Sequence, residues 1–291
     1  MLEVLRSMLF VPGNNPAMLQ AAGVFGADAV ILDLEDAVAL REKDAARFLV
    51  AEALQSVDFK TSAKVVRINT LETGGVEDLR RIVACAPSAV LVPKVQSAAD
   101  IQAVAELLES LEQPEQVPVK IIALIETPRG LAEAYAVATA HPRLIALAFG
   151  AEDYTAALGA KRTRDGLEIM SARSMLINAA AAAGVAAIDT PFTDINDEAG
   201  LRADVALARQ LGYKGKLAIH PRQVDIIHEV MNPSAEEIRW AQRVLAVLRQ
   251  AELEGAGAVS LDGKMIDAPI ELRARHVLKL AQNNPAGGAE Q

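Results

Sequence analysis

Two carboxylates, Glu126 and Asp153, stand just after apolar runs of the sequence. Glu126 follows Lys120–Ile125 directly, and Asp153 comes shortly after Leu144–Phe149. Runs of this length, rich in aliphatic residues, are typical of buried parallel strands. Since α/β proteins bind ligands at the carboxyl ends of their strands, we expect the two carboxylates to face one site.

Charged side chains follow most of the other strand-like runs as well. A charge at the end of an apolar strand costs free energy unless it is paired or used, so the repetition predicts a functional rim. Acids outnumber bases there, and crowded carboxylates need a counter-charge. Oxygen ligands without Cys favour Mg²⁺ over Zn²⁺, with Glu126 and Asp153 as the predicted ligands. The other rim residues are Asp33, Glu35, Asp36, Arg67, Lys94, Glu152, Asp189 and His220.

The basic rim residues have distinct predicted roles. The planar guanidinium of Arg67 suits an anchor for a substrate carboxylate, and equally an ion pair with Glu35 or Asp36. Lys94 is disfavoured as a Schiff-base amine, because neighbouring acids stabilise its ammonium form. We expect Glu35, Asp36 and Lys94 to support the site without binding the metal, and His220 to be structural or to support the site rather than to act as a base.

Eight strand-like runs, spaced by roughly 25–30 residues, alternate with helical patterns, and this order predicts a parallel sheet. Eight such units favour a closed (β/α)8 TIM barrel over an open doubly wound sheet, which would need a Gly-rich phosphate turn. The chain contains no G-x-G-x-x-G. The predicted strands are 7–11, 29–34, 64–68, 89–92, 120–125, 144–149, 186–189 and 216–219.

The predicted helices are 14–25, 42–54, 76–85, 97–112, 128–140, 167–183, 199–211 and 224–231, with a long loop at 155–166. The barrel domain is assigned to 1–232. The remainder, 233–291, is predicted as a helix to 254, a hairpin or extended arm at 255–267 turning at Asp262-Gly263, a helix at 269–281 and a disordered tail from 283. We expect this extension to cover the barrel mouth or contact a neighbouring subunit.

The composition excludes several classes of protein. The chain has 291 residues, 52% hydrophobic and 3% aromatic, which suits a globular protein with an aliphatic core. Its net charge of -9 disfavours a nucleic-acid partner, and its one Cys excludes an internal disulfide. No signal peptide or membrane-length apolar run is present, so a cytoplasmic protein without a membrane partner is predicted.

A series of ordered motifs over about residues 5 to 281 resembles the β-subunit group of citrate lyases. The wider family includes malyl-CoA and citramalyl-CoA lyases and metal-dependent pyruvate aldolases. The motifs are R-S-M-L-F-V-P-G from Arg6, D-L-E-D-A-V from Asp33, V-R-I-N from Val66, V-P-K from Val92, I-E at Ile125, G-A-E-D-Y from Gly150, P-R-Q from Pro221 and V-S-L-D-G-K-M-I-D from Val259.

The resemblance implies a (β/α)8 barrel that binds Mg²⁺ through Glu126 and Asp153 and a 2-oxo acid through Arg67. It also implies that Asp267 reaches a neighbouring subunit as an acid–base group, for which the alternative is a cap on the following helix. In relatives, the turn from Phe10 to Pro12 lies along the thioester carrier.

The implied activity is Mg²⁺-dependent cleavage of a citryl, malyl or citramalyl-type thioester, on coenzyme A or an acyl carrier protein. The products would be a 2-oxo acid such as oxaloacetate and an acetyl thioester. The resemblance also implies a homo-oligomer, trimer or hexamer, acting alone or with other citrate lyase subunits. Two alternatives are kept: a metal-dependent class II aldolase acting on free hydroxy-oxo acids, and a non-catalytic structural partner in a lyase complex.

Overall fold

The computed structural model describes residues 4–254 and 259–282, and its central feature is a closed parallel barrel. Strand β1 pairs with β2 on one side and with β8 on the other, which closes the ring. The predicted (β/α)8 barrel is therefore confirmed. The strands are β1 Ser7–Pro12, β2 Ala29–Asp33, β3 Ala63–Arg67, β4 Ala89–Val92, β5 Lys120–Ile125, β6 Leu144–Phe149, β7 Ala186–Asp189 and β8 Gly215–Ala218.

Alternate residues of the strands point into the barrel. In β5, Ile122 and Leu124 lie in the barrel core, and in β7 Ile188 does so. Because side chains along a strand alternate between faces, the next inward positions are Glu126 and Thr190, above the apolar core. The strands thus place aliphatic side chains in the interior of the barrel and polar groups at the carboxyl ends of the strands.

Ten helices accompany the barrel strands in the described residues. They are α1 Pro16–Ala21, α2 Lys43–Ser56, α3 Gly75–Ile82, α4 Ala98–Leu111, α5 Pro128–Ala132, α6 Ala134–Ala138, α7 Ala151–Leu158, α8 Leu167–Ala183, α9 Glu198–Leu211 and α10 Arg222–Met231. Side chains cap the starts of α1 and α5, since Asn15 accepts from Met18 N and Thr127 accepts from Gly130 N.

Two segments differ from their predictions. The helix predicted at 128–140 is divided at Glu133 into α5 and α6. The loop predicted at 155–166 is shorter, because α7 continues to Leu158 and ends at Gly159 in the left-handed conformation. The Ala-rich sequence after Gly150 favours helix, and Gly159 is a typical helix-ending residue. The difference matters because it places Glu152 and Asp153 in the first turn of a helix.

The chain divides into two compact units between His228 and Glu229. The second unit contains α11 Ala235–Glu254, the hairpin β9 Val259–Leu261 and β10 Lys264–Ile266, and α12 Ala268–Gln282. Its own apolar cluster includes Ala241, Val244, Ile266, Ala274 and Val277. The hairpin turns at Asp262 and Gly263, both with positive φ, as predicted. The start of the predicted arm, 255–258, and the tail, 283–291, lie outside the described residues.

Within the described ranges, no helix has the length and apolar character that crossing a membrane requires.

Candidate active site

A cavity of about 330 Å³ lies at the carboxyl ends of the barrel strands. Its lining comes from the ends of all the strands except β4, or from the turns that follow them, so side chains distant in sequence share one space. Eight of the predicted site and rim residues line it: Phe10, Pro12, Asp33, Asp36, Arg67, Glu126, Glu152 and Asp153. Glu35 and Lys94 adjoin this set through contacts with Arg67 and Glu126.

The carboxyl of Glu126 is held at one oxygen only. Its Oε1 accepts from the backbone N–H of Lys94 at 2.7 Å, and no described residue donates to Oε2. Glu126 is 3% exposed. Burial first, then the charges of Glu35 and Asp153, raise the pKa of Glu126 to about 8, although the Lys94 N–H and Arg67 oppose this. A buried carboxylate with an unused oxygen is suited to a bound cation.

Asp153 reaches the same cavity from the first turn of α7. Gly150, at the start of α7, lies against Glu126: a Cβ at this position would stand 2.6 Å from Glu126 Cβ and 2.8 Å from Glu126 Oε2. Any side chain at Gly150 would therefore displace Glu126. The glycine lets α7 begin close to Glu126 and brings Asp153 to the rim.

These two carboxylates fit a magnesium ion. The described residues contain no group of three or more His, Cys, Asp or Glu that could hold a metal. Mg²⁺ commonly takes one or two protein carboxylates and leaves its other positions to water and substrate. The donor set is oxygen alone, as a hard cation prefers.

Arg67 is paired chiefly with Asp33, a partner in addition to the predicted Glu35 and Asp36. Nε and Nη2 of Arg67 donate to the two oxygens of Asp33 at 2.7 and 2.6 Å. Nη1 lies 3.0 Å from Glu35 Oε2 and 3.6 Å from Asp36 Oδ2, and the Phe10 ring packs 4.8 Å from the guanidinium carbon. Burial would lower the pKa of Arg67, but the hydrogen bonds and charge of Asp33 raise it above its ordinary value. The guanidinium stays charged and fixed beside the cavity.

Glu35 connects the two basic residues of the rim. Its Oε1 accepts from Lys94 Nζ at 2.7 Å. Its Oε2 is buried without a hydrogen bond, because the contact with Arg67 lacks hydrogen-bond geometry. The hydrogen bond from Lys94 to Glu35 raises the pKa of Lys94, which agrees with the rejection of a Schiff-base role.

The assignment of Asp189 to the rim was wrong. Asp189 is fully buried and accepts from Arg173 at 2.9 and 2.8 Å and from Lys216 at 2.7 Å. Since Ile188 faces the barrel core, its neighbour Asp189 must face the surrounding helices. The alternation of the strand could have revealed this. His220 accepts from the backbone of Arg222 through Nδ1 at the start of α10, a structural role as expected.

Asp267 belongs to the second unit and caps α12. Its Oδ1 accepts from Ile270 N at 3.2 Å, and its side chain is exposed. The capping alternative considered for Asp267 is therefore observed, and the acid–base role stays a prediction. Exposure leaves the other carboxylate oxygen open to solvent or to another chain.

Comparison with known proteins gives consistent matches. A model of the HpcH/HpaI aldolase/citrate lyase family matches residues 6–221. The citrate lyase subunit beta of Leuconostoc mesenteroides subsp. cremoris is 44% identical over 283 residues, which are 96% of this chain and 94% of that protein. A (3S)-malyl-CoA thioesterase of Cereibacter sphaeroides is 36% identical, over 98% of this chain and 97% of its own length.

Among solved structures, protein CitE from Mycobacterium tuberculosis, in complex with magnesium, acetoacetate and coenzyme A, matches with a TM-score of 0.80 and 35% identity. The match covers 97% of this chain and 99% of that one.

Proposed function

The chain belongs to the HpcH/HpaI aldolase/citrate lyase family, and we propose that it is an Mg²⁺-dependent carbon–carbon lyase of acyl thioesters. The substrate is a citryl thioester, or a malyl or citramalyl relative, and the products are a 2-oxo acid such as oxaloacetate and an acetyl thioester. The observation that carries this proposal is one cavity lined by Glu126, Asp153 and Arg67.

Glu126 and Asp153 would hold the metal. Bound Mg²⁺ supplies a Lewis acid that lowers the pKa of the substrate hydroxyl beside the carboxylate. Near the cavity there are six carboxylates and three cations. The carboxylates are those of Asp33, Glu35, Asp36, Glu126, Glu152 and Asp153, and the cations are Lys43, Arg67 and Lys94. This excess of negative charge favours a divalent cation and, through it, an acidic substrate.

Arg67 orients the oxo-acid part of the substrate. Asp33 occupies the Nε–Nη2 edge of its guanidinium, so substrate binding falls to the remaining Nη N–H groups. Phe10 packs against the guanidinium and lines the cavity together with Pro12, on the side assigned to the thioester.

Cleavage needs a base that removes the hydroxyl proton. The carbon–carbon bond then breaks, its electron pair forms the thioester enolate, and a proton returns to that carbon. We assign one of these proton transfers to Asp267 of a second copy of this chain in a homo-oligomer. This assignment rests on the resemblance and on the exposure of Asp267.

The test is turnover of citryl-CoA and malyl-CoA by the purified chain, with Mg²⁺ and after chelation, with loading on an acyl carrier protein as a second arm. We expect cleavage that requires Mg²⁺ and is lost in Asp153→Asn and Glu126→Gln. No cleavage or condensation with any thioester would reject the proposal. Activity on free hydroxy-oxo acids with none on thioesters would identify a class II aldolase. An assembled lyase complex that kept full activity with Asp153→Asn would indicate a structural partner.

A further inference from the structure

The first turn of α7 has no cap from the side chain of its own N-cap residue. The N-cap residue is Gly150, which has no side chain to accept from the helix. A capping Ser, Asp or Asn cannot stand there, because any Cβ would collide with Glu126. The close approach that brings α7 to the metal site therefore removes the local means of fixing its first turn.

Thr190, on the neighbouring β/α unit, supplies the missing acceptor. Its Oγ1 accepts from Ala151 N at 3.1 Å, and both residues are fully buried. On the other side, Gly150 N donates to the carbonyl of Ile125 at 2.9 Å. The start of α7 is thus tied to the end of β5 by one bond and to the residue after β7 by the other.

Thr190 is itself rigidly placed. It follows Asp189, whose carboxylate is gripped by Arg173 and Lys216. Asp204, which is partly exposed, accepts from the same two cations at 2.7 and 2.6 Å, and this completes a network of four charges. Because this network fixes the end of β7, Thr190 has little freedom to move with α7 if that helix is displaced.

We propose that Thr190 is a positioning residue for the metal site: its hydroxyl caps α7 from the neighbouring β/α unit and thereby sets the place of Asp153. The proposal rests on the assignment of Asp153 as a metal ligand. Groups that orient metal ligands without touching the metal typically change metal affinity 10- to 100-fold when removed. Thr190→Val keeps the shape of the side chain but leaves Ala151 N–H without its acceptor.

The experiment is calorimetric titration of the full-length chain with Mg²⁺, without substrate, so that the readout is independent of turnover. We expect Thr190→Val to weaken Mg²⁺ binding at least about tenfold. Thr190→Ser, which retains the acceptor oxygen, should bind within about threefold of the unaltered chain.

Thr155→Val is the matched control. Thr155 is a buried threonine of α7 itself, but its hydroxyl donates to Ala151 O rather than accepting from Ala151 N. Its replacement should leave Mg²⁺ affinity within about twofold.

The outcomes separate this proposal from the proposed function. If the unaltered chain binds Mg²⁺ and Thr190→Val binds it equally well, the positioning role is rejected and the metal site stands. If Thr190→Ser weakens binding as much as Thr190→Val, the hydroxyl is not responsible and the role is also rejected. If the unaltered chain binds no Mg²⁺, both proposals fail. Should Thr190→Val not fold, Thr190→Ala replaces it in the same comparison with Thr190→Ser.

Discussion

The backbone N–H of Lys94 donates to Glu126 Oε1 at 2.7 Å, and Lys94 makes this bond with a left-handed backbone, φ 53°. The bond decides which oxygen of Glu126 is occupied and which remains for a ligand. Left-handed conformation is costly for a residue with a Cβ, and such strain persists where the surrounding structure imposes it. The same residue pairs its ammonium group with Glu35, so one lysine orders two carboxylates of the rim.

Lys94→Gly and Lys94→Val separate backbone strain from the loss of the ammonium group. Both remove the contact with Glu35, but only glycine adopts positive φ without a steric penalty. We expect the free energy of unfolding of Lys94→Gly to exceed that of Lys94→Val by at least about 1 kcal/mol. Urea denaturation measures the difference, and equal stabilities would contradict strain at this position.

Gly150→Ala tests the contact between α7 and Glu126. The added methyl would overlap Glu126, so we expect at least tenfold weaker Mg²⁺ binding by calorimetry and a loss of about 1–3 kcal/mol in stability. Gly184→Ala is the control. Gly184 has φ 73° and no atoms near its Cβ position, so its replacement strains the backbone away from the site. Mg²⁺ affinity should then be unchanged, and loss of binding in both variants would point to general unfolding instead.

Asp33→Asn tests the pair that fixes Arg67. Removing the charge leaves a buried guanidinium poorly compensated, which typically costs about 3–5 kcal/mol. We expect stability to fall by about that amount and the KM for the thioester to rise, as measured by denaturation and steady-state assay. Asp44→Asn is the control, because Asp44 pairs with Arg47 through a side chain that is 89% exposed. Its change should stay under about 1 kcal/mol. Similar losses in both variants would argue against a special role for Asp33.

The buried side chain of His228 should make the free energy of unfolding depend on pH. Burial lowers the pKa of His228 below its ordinary 6.5, although Asp28 opposes this, and Nε2 lies 2.7 Å from Ser7 Oγ. The unfolded chain therefore takes up a proton before the folded chain does. Stability contributed at this site is complete above pH 6.5 and falls as the pH drops through that value.

In His228→Gln, the decline of thermal stability between pH 7 and pH 5 should be shallower than in the unaltered chain. Differential scanning calorimetry across this range measures it, with the two proteins first compared at pH 8. Identical slopes would show that protonation of His228 does not oppose folding.

The order of apolar runs was enough to predict the barrel, because eight strand and helix periods in alternation leave few other packings. The ends of those runs also predicted Glu126, Asp153 and Arg67 at one site, and all three line one cavity, whereas the turn from Phe10 to Pro12 was expected there only from the family resemblance. Strand ends converge whatever the details of side-chain packing, so this level of inference needs only topology.

The ion-pair partners of the rim residues could not be predicted in this way. Arg67 had several acids within reach of its strand, and only the register of β2 beside β3, with Asp33 opposite Arg67, selects Asp33. In the sequence, Asp189 stands at a strand end just as the other rim acids do. Only the structure shows that its side chain lies on the outer face of β7.

The sequence by itself determined the scaffold and most of the residues that carry the proposed chemistry, since both follow from local periodicity. The tertiary structure alone decided which atoms meet: that Lys94 N–H takes one oxygen of Glu126, that Gly150 admits α7 beside it, and that Thr190 caps that helix from another strand. The reason is that hydrogen bonds and steric overlaps act over about 3 Å, a distance that register and packing fix and sequence spacing does not.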